Sequence, residues 1–317
     1  MKLLIHFGIY KAGSSYLQYI SASKRDYLIA NNIYFPESKE DKKMKRGLLS
    51  KGNDGGFEIA LKKENTSKIN TLLKKWHRIA KQKKCNAVLI SAEALVHQLG
   101  QQRKLNLIVN SANSVGYTDI NAMGFFRDLA EHALSTYKHR AKSGKIPDYE
   151  HWVKNVYETP KLLEKLTSVI KQNQDIKWTL RKFQKDSNFL KQAFFVDWLS
   201  IEIPKFQTLP IVNESVSLSE VMVLNHLRNI YPNVMDFFFQ DLKSLPKNLK
   251  ANDKALDYMI HDIFISSLSH FDKILFQINV FFQEDEKIVV GQKNFTHVVN
   301  EQIISLSEKQ LKVFIKR

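Results

Sequence analysis

"KLLIHFGIYKAGSSYLQ", residues 2–18, is the stretch on which the reading of the whole chain turns. Leu3-Leu4-Ile5 is a short apolar run of the kind that forms a buried strand. Leu17, Ile20, Tyr27 and Leu28 then recur at helical spacing. Between them lies a segment of small residues in which Gly8 and Gly13 stand in G-x-x-x-x-G spacing, followed by Ser14 and Ser15. A strand that runs through such a loop into a helix makes a place for an anion. Backbone N–H groups turn into the loop, and the helix start carries partial positive charge. Gly13 allows the backbone to approach closely, Ser14 and Ser15 offer hydroxyl donors and a helix cap, and Lys11 supplies a full positive charge. The lysine that a nucleotide kinase carries just after the second glycine is absent; here the lysine stands two residues before it.

Further apolar runs follow along the chain. "IYF" at 33–35, closed by Pro36, "NAVLIS" at 86–91, "INAMGFF" at 120–126 and "DIKWTLRKF" at 175–183 read as strands. Helix-like segments separate them, among them a basic amphipathic stretch at 64–84. Strand alternating with helix at this rhythm predicts an α/β fold: a P-loop-like three-layer arrangement with a central parallel sheet flanked by helices. From about residue 215 the pattern turns mostly helical, in "SLSEVMVLNHLRNIY", "DYMIHDIFISSLSHF" and the closing "SLSEKQLKVFIKR". No internal repeat and no linker stand out. The expectation is therefore a single domain over 1–317, with the Lys-rich loop and helix of 37–84 as an insertion.

Composition narrows the function. The 317 residues carry a formal charge of +16, a balance suited to polyanionic partners. With Cys85 as the single cysteine, no internal disulfide can form and a cysteine-based zinc site is excluded. No run reaches the roughly 18 apolar residues of a membrane span, and the N-terminal apolar stretch is too short for a signal peptide. The expected location is cytoplasmic, with possible contact at a membrane surface. The ten histidines show no H-E-x-x-H or paired spacing, so no metal is called for.

The stretch "HFGIYKAGSSYLQ" resembles the 5′-phosphosulfate-binding loop of the sulfotransferases, whose usual form reads K-T-G-T-T. It is most similar to bacterial and carbohydrate-acting members, in which the loop continues into Leu-Gln, as Leu17 and Gln18 do here. Ala12 stands where the family has threonine, and Ser14 and Ser15 replace the threonine pair while keeping both hydroxyls. A second resemblance lies in "GFFRDLAEHALSTYKH": Arg127 closes an apolar run and Ser135 follows eight residues later. In the family an arginine and a serine so spaced hold the ribose 3′-phosphate of the donor, and a guanidinium suits phosphate because it binds it bidentately. "IYFPE" at 33–37, "VLISAE" at 88–93 and "VNESVSLSE" at 212–220 match weaker habits of the bacterial members.

The resemblance implies a transferase that uses 3′-phosphoadenosine 5′-phosphosulfate as sulfuryl donor, without a metal. Lys11, Ala12, Gly13, Ser14 and Ser15 would hold the phosphosulfate end, and Arg127 with Ser135 the 3′-phosphate. Lys11 would also steady the charge that builds on the leaving phosphate. An acceptor hydroxyl or amine must lose a proton, and Glu93, just after the apolar run "VLIS", is the leading candidate base. His97, one turn later, and His6, at the end of the first strand, are the alternatives; His132 and His139 read as helix-surface residues. The acceptor expected from the resemblance is a glycan, a glycolipid or a small hydroxyl compound. The loop at 37–56, read as mobile, would serve as an acceptor lid. Two other readings stand beside this one. A phosphate-loop kinase fits the glycine spacing but lacks its lysine. A non-enzymatic polyanion binder fits the charge through 42–51 and 61–84, though no nucleic-acid-binding motif is present and no nucleic-acid partner is expected.

Overall fold

The computed structural model describes residues 1–48, 50–141, 149–205 and 254–291. In chain order they form β1 (Lys2–Gly8), α1 (Ser14–Ser23), α2 (Arg25–Ala30), β2 (Ile33–Tyr34), α3 (Asp41–Lys45), α4 (Phe57–Lys62), α5 (Thr66–Gln82) and β3 (Ala87–Ser91). There follow α6 (Leu95–Leu99), α7 (Gln102–Val115), β4 (Asp119–Phe126), α8 (Leu129–Ala141), α9 (Tyr149–Asn155), α10 (Thr159–Gln172), β5 (Lys177–Lys182) and α11 (Ser187–Lys191). A π-helical turn, Gln192–Trp198, and helices Lys254–Leu268 and Asp272–Asn279 complete the described chain.

All five strands join one sheet in the order β2-β3-β1-β4-β5, and every pairing is parallel. Each run that the sequence marks as a strand is one. Successive residues of a strand point to opposite faces. Since every residue of β3, and of β1 from Leu3 onward, is buried, both faces of the sheet are covered by helices. The fold is the three-layer α/β class that the alternating pattern predicts. Phe7 of β1 lies opposite Gly124 of β4, and its ring occupies the space a side chain at 124 would need: a Cβ there would come within 2.6 Å of it. A glycine inside a central strand is thus accounted for by a close approach from its neighbour.

The helical run expected from Leu17 to Leu28 divides at Lys24, which leaves helical geometry (φ −113°, ψ 35°) after the poor helix formers Ser21 and Ser23. The amphipathic stretch at 64–84 is α5. Asn65 caps it by accepting a hydrogen bond from the Lys68 N–H at 2.9 Å, and Ile69, Leu72, Leu73, Trp76 and Ala80 form its buried stripe. Of the C-terminal segments read as helical, 257–271 is helix and a 3₁₀ turn, while 217–231 and 305–317 lie outside the described residues.

The described chain divides into two compact units, where the sequence shows no linker. One takes in residues 1–127, 159–205 and 273–288 and holds the whole sheet; the other takes in 128–141, 149–158, 254–272 and 289–291. Both are assembled from separated segments, so no single linker could mark the boundary. In the second unit α8 and α9 pack with helix Lys254–Leu268 around Tyr137, Trp152 and Phe264. His132, expected on a helix surface, is buried there. Tyr157 Oη donates to the Leu129 carbonyl, so His132 Nδ1 donates to Tyr157 Oη at 2.8 Å.

In the first unit, the segment around Phe282–Ile288 lies beside β5. Phe282 bridges to Leu180, and Glu286 is buried against Arg181, which it meets at 2.6 Å through Nη2. Arg181 Nη1 also donates to Asp197 at 2.7 Å, and the Lys182 N–H donates to Glu286 at 3.1 Å. Removing one partner of a buried ion pair leaves the other without compensation. Arg181→Met should therefore destabilise the chain by about 3–5 kcal/mol, read as a lower urea midpoint at unchanged slope; an unchanged midpoint would show that Glu286 is held without the arginine.

Candidate functional site

Parallel strands end on the same edge, and the candidate site lies on that edge of the first unit, where β1, β3 and β4 stop at Gly8, Ser91 and Phe126. The loop after β1 takes left-handed backbone at Lys11 (φ 64°) and again at Gly13 (φ 85°). For lysine that conformation costs about 1–3 kcal/mol and persists only where the surroundings enforce it. Arg127 supplies the restraint: its Nη1 donates to the Lys11 carbonyl at 3.2 Å, and its guanidinium lies 4.9 Å from the centre of the Phe183 ring. Gly13 is needed for a second reason. A Cβ there would stand 2.9 Å from Leu190 and 3.0 Å from Phe183, so these two side chains close over the loop.

Gly13 is also the residue that immediately precedes α1, and no side chain caps the helix. Ser14 and Ser15, expected to cap it, are instead its first two residues. The Tyr16 and Leu17 N–H groups donate to the Gly13 carbonyl at 3.0 and 3.3 Å; those of Ser14 and Ser15 come before any helical partner, the arrangement that attracts an anion. Ser14 Oγ is buried and meets no partner at hydrogen-bonding geometry among the described residues, yet its hydroxyl acts on the Glu93 carboxyl and lowers that group's pKa. The Lys11 ammonium also lowers it. Burial outweighs both and raises Glu93 to about 7. The structure thus brings Lys11, Gly13, Ser14 and Glu93 together, with Arg127 bracing the loop from behind. Ser15 is half-buried one residue on, and Ala12 is buried.

The other expected site residues divide. Ser135 is half-buried on α8, in the second unit. His97 lies on α6, its ring centre 6.3 Å from that of Tyr10, an exposed residue of the loop. His6 is not a candidate base. It is only 1% exposed, its Nδ1 is 2.7 Å from Ser91 Oγ, and the rings of Phe125 and Phe194 pack edge-on against it. Burial lowers its pKa to about 3, so it stays neutral and joins β1 to β3.

Residues 37–48 and 50–56, within the stretch read as a mobile loop, are built into the unit. Met44 of α3 is buried, Ser38 Oγ donates to the Gly52 carbonyl at 3.2 Å, and Ser50 Oγ donates to Gln18 Oε1 at 2.7 Å. Asn53 docks on the end of β3: its Nδ2 donates to the Leu89 carbonyl at 3.0 Å, and its Oδ1 accepts from the Ser91 N–H at 2.6 Å. Gln18, buried on α1, reaches the same place through Nε2, 3.3 Å from the Ser91 carbonyl. Nothing in the composition of "SKGNDGG", which carries the usual signs of an open loop, marks Asn53 as a core residue; its role comes from partners 36 and 38 residues away. Phe183 and Leu190 are likewise neighbours of the loop without a local signal.

Comparisons with protein-family models, with curated proteins and with solved structures found no match to this chain. Among the described residues, no three His, Cys, Asp or Glu side chains gather into a group that could hold a metal ion.

The raised pKa of Glu93 has a consequence for stability. Between its unfolded value near 4.5 and its folded value near 7 the native state holds the extra proton. Stability from this group is therefore complete below about pH 4.5 and is lost as pH rises through 7. Glu93→Gln, which cannot ionise, should be more stable than the parent by roughly 1–3 kcal/mol at pH 8 and should show no advantage at pH 4. Chemical denaturation at the two pH values checks this, and a difference that does not grow with pH would contradict it.

Proposed function

We propose that the chain is a sulfotransferase that moves a sulfuryl group from 3′-phosphoadenosine 5′-phosphosulfate to a hydroxyl or amine. The observation that carries the reading is the meeting of Lys11 and Ser14, from a glycine loop at a helix start, with the proton-bearing carboxyl of Glu93. An anion-binding loop and a group able to take a proton near neutrality stand side by side, which is what transfer from an anionic donor to a protic acceptor requires.

The donor supplies the sulfuryl group and a phosphate that leaves with the bonding electron pair. The backbone of Gly13, Ser14 and Ser15 would hold its phosphosulfate end, and Lys11 would neutralise charge on the leaving oxygen. Arg127, by holding the Lys11 carbonyl, keeps that lysine in its left-handed turn. By resemblance Arg127 would also hold the 3′-phosphate. Glu93, ionised above about pH 7, would take the proton that the acceptor releases as its oxygen or nitrogen bonds to sulfur. A carbohydrate or glycolipid acceptor is the preferred reading, and it rests on the resemblance alone.

Calorimetric titration with 3′-phosphoadenosine 5′-phosphate, beside ATP with magnesium, tests the donor site. Micromolar binding of the former is expected, weakened at least about tenfold by Lys11→Ala, the loss of one charge-assisted contact. Arg127→Ala should weaken it as well. A preference for ATP, or indifference to both substitutions, would show that the loop serves another phosphate and overturn the reading.

A further inference from the structure

We infer that Asn53 is a positioning residue for Glu93: it takes over the edge of β3 beyond the point where β2 ends and so fixes the strand end that carries the carboxyl. The inference rests on Glu93 being the proton acceptor proposed above.

The argument begins with an unequal pairing. β2 is two residues long, and its register with β3 stops at Tyr34↔Val88. In a strand the N–H and C=O of one residue point to the same side, and alternate residues share that side. Ala87 donates to Asn32 on the β2 side, so Leu89 and Ser91 face that side too, past the end of their partner. Buried backbone groups left in this state carry a penalty comparable to a lost hydrogen bond. Asn53 meets all three that matter. Its Nδ2 donates to the Leu89 carbonyl, its Oδ1 accepts from the Ser91 N–H, and its own N–H donates to the Ser91 carbonyl at 3.1 Å. One asparagine stands in for the missing length of β2, and it is fully buried.

The approach that permits this is tight. Gly52 has φ 89°, and a Cβ on it would lie 1.9 Å from the Ser91 carbonyl oxygen, so only glycine can precede Asn53 here. The Ser91 carbonyl also accepts from Gln18 Nε2, and Gln18 in turn accepts from Ser50. α1, which carries the anion loop, and β3, which leads to Glu93, are therefore tied at one peptide group two residues before the carboxyl. The groups that act on that carboxyl, Ser14 and Lys11, come from the start of α1 and the loop before it. A fixed distance between α1 and the end of β3 keeps the half-buried Glu93 beside them.

The test reads Glu93 itself. In the full-length chain with ¹³C-labelled glutamate, the Glu93 carboxyl is titrated by NMR, its signal assigned by its loss in Glu93→Gln. Asn53→Ala should move the midpoint down by about one unit or more toward the ordinary value, as the loosened strand end admits water. Binding of 3′-phosphoadenosine 5′-phosphate, which uses the loop, should fall by much less. Should Asn53→Ala not fold, Ser50→Ala, which removes the bond to Gln18 and the one that Ser50 Oγ accepts from the Gly52 N–H at 3.3 Å, is expected to move the midpoint in the same direction by a smaller amount. A folded variant whose Glu93 titrates where the parent's does would overturn the inference and leave the proposed function standing. A parent Glu93 that titrates near 4.5 would overturn both. Normal Glu93 behaviour with no binding of the nucleotide would overturn the donor assignment alone.

Discussion

Parallel pairing is the constraint on which the rest depends. A parallel strand cannot hand over to its neighbour through a tight turn; it needs a crossover, and every crossover leaves from the same edge of the sheet. With β1 in the middle and β3 and β4 on either side, the residues that follow these strands have no choice but to meet. Lys11, Gly13 and Ser14 follow β1, Glu93 follows β3 and Arg127 follows β4. More than a hundred residues separate the first of these from the last, and backbone hydrogen bonding alone brings them to one edge. The apolar runs that form the strands are buried on both faces, so the same burial that stabilises the sheet also holds its edge in place.

The electrostatics at that edge follow from a competition. Burial disfavours the charged form of Glu93, while Lys11 and the Ser14 hydroxyl favour it, and burial prevails. A carboxyl in this position can be neutral when an anion enters the loop and ionised when a proton has to be taken. An ordinary surface glutamate would instead repel the anion throughout. The lysine opposite it is held in a conformation that costs free energy, and Arg127 enforces it by gripping the lysine's own carbonyl. Arg127 therefore has a role in the fold of the loop as well as the role in phosphate binding that the resemblance implies.

Lysine-rich, glycine-containing segments carry the composition of open loops, and residues 37–56 illustrate why composition misleads. The lysines of α3 do face solvent, but Met44, Asn53 and Asp54 between and after them are buried, and the glycines are there because Gly52 must pass within contact distance of a strand. The same glycine that signals freedom in isolation signals close approach once a partner is present. His6 shows the converse. A histidine at a strand end beside an anion loop looks chemical, yet Ser91, Phe125 and Phe194 enclose it and burial keeps it neutral.

What the sequence by itself determined is local and periodic. The five strands, the helix at 64–84, the glycine loop and its lysine, and the acid just after the third strand are all legible, because they depend on side-chain periodicity and on residues adjacent in the chain. Only the tertiary structure decided that Ser14 and Lys11 act on the Glu93 carboxyl, that His6 and His132 are enclosed, that Arg127 holds the loop, and that Asn53 finishes the edge of β3. Each of these is a contact between residues far apart in the chain, and its energy comes from desolvation and from hydrogen bonds to groups that no local pattern encodes. The division into two interleaved units escaped the sequence for the same reason: a boundary that the chain crosses several times leaves no stretch of linker to read.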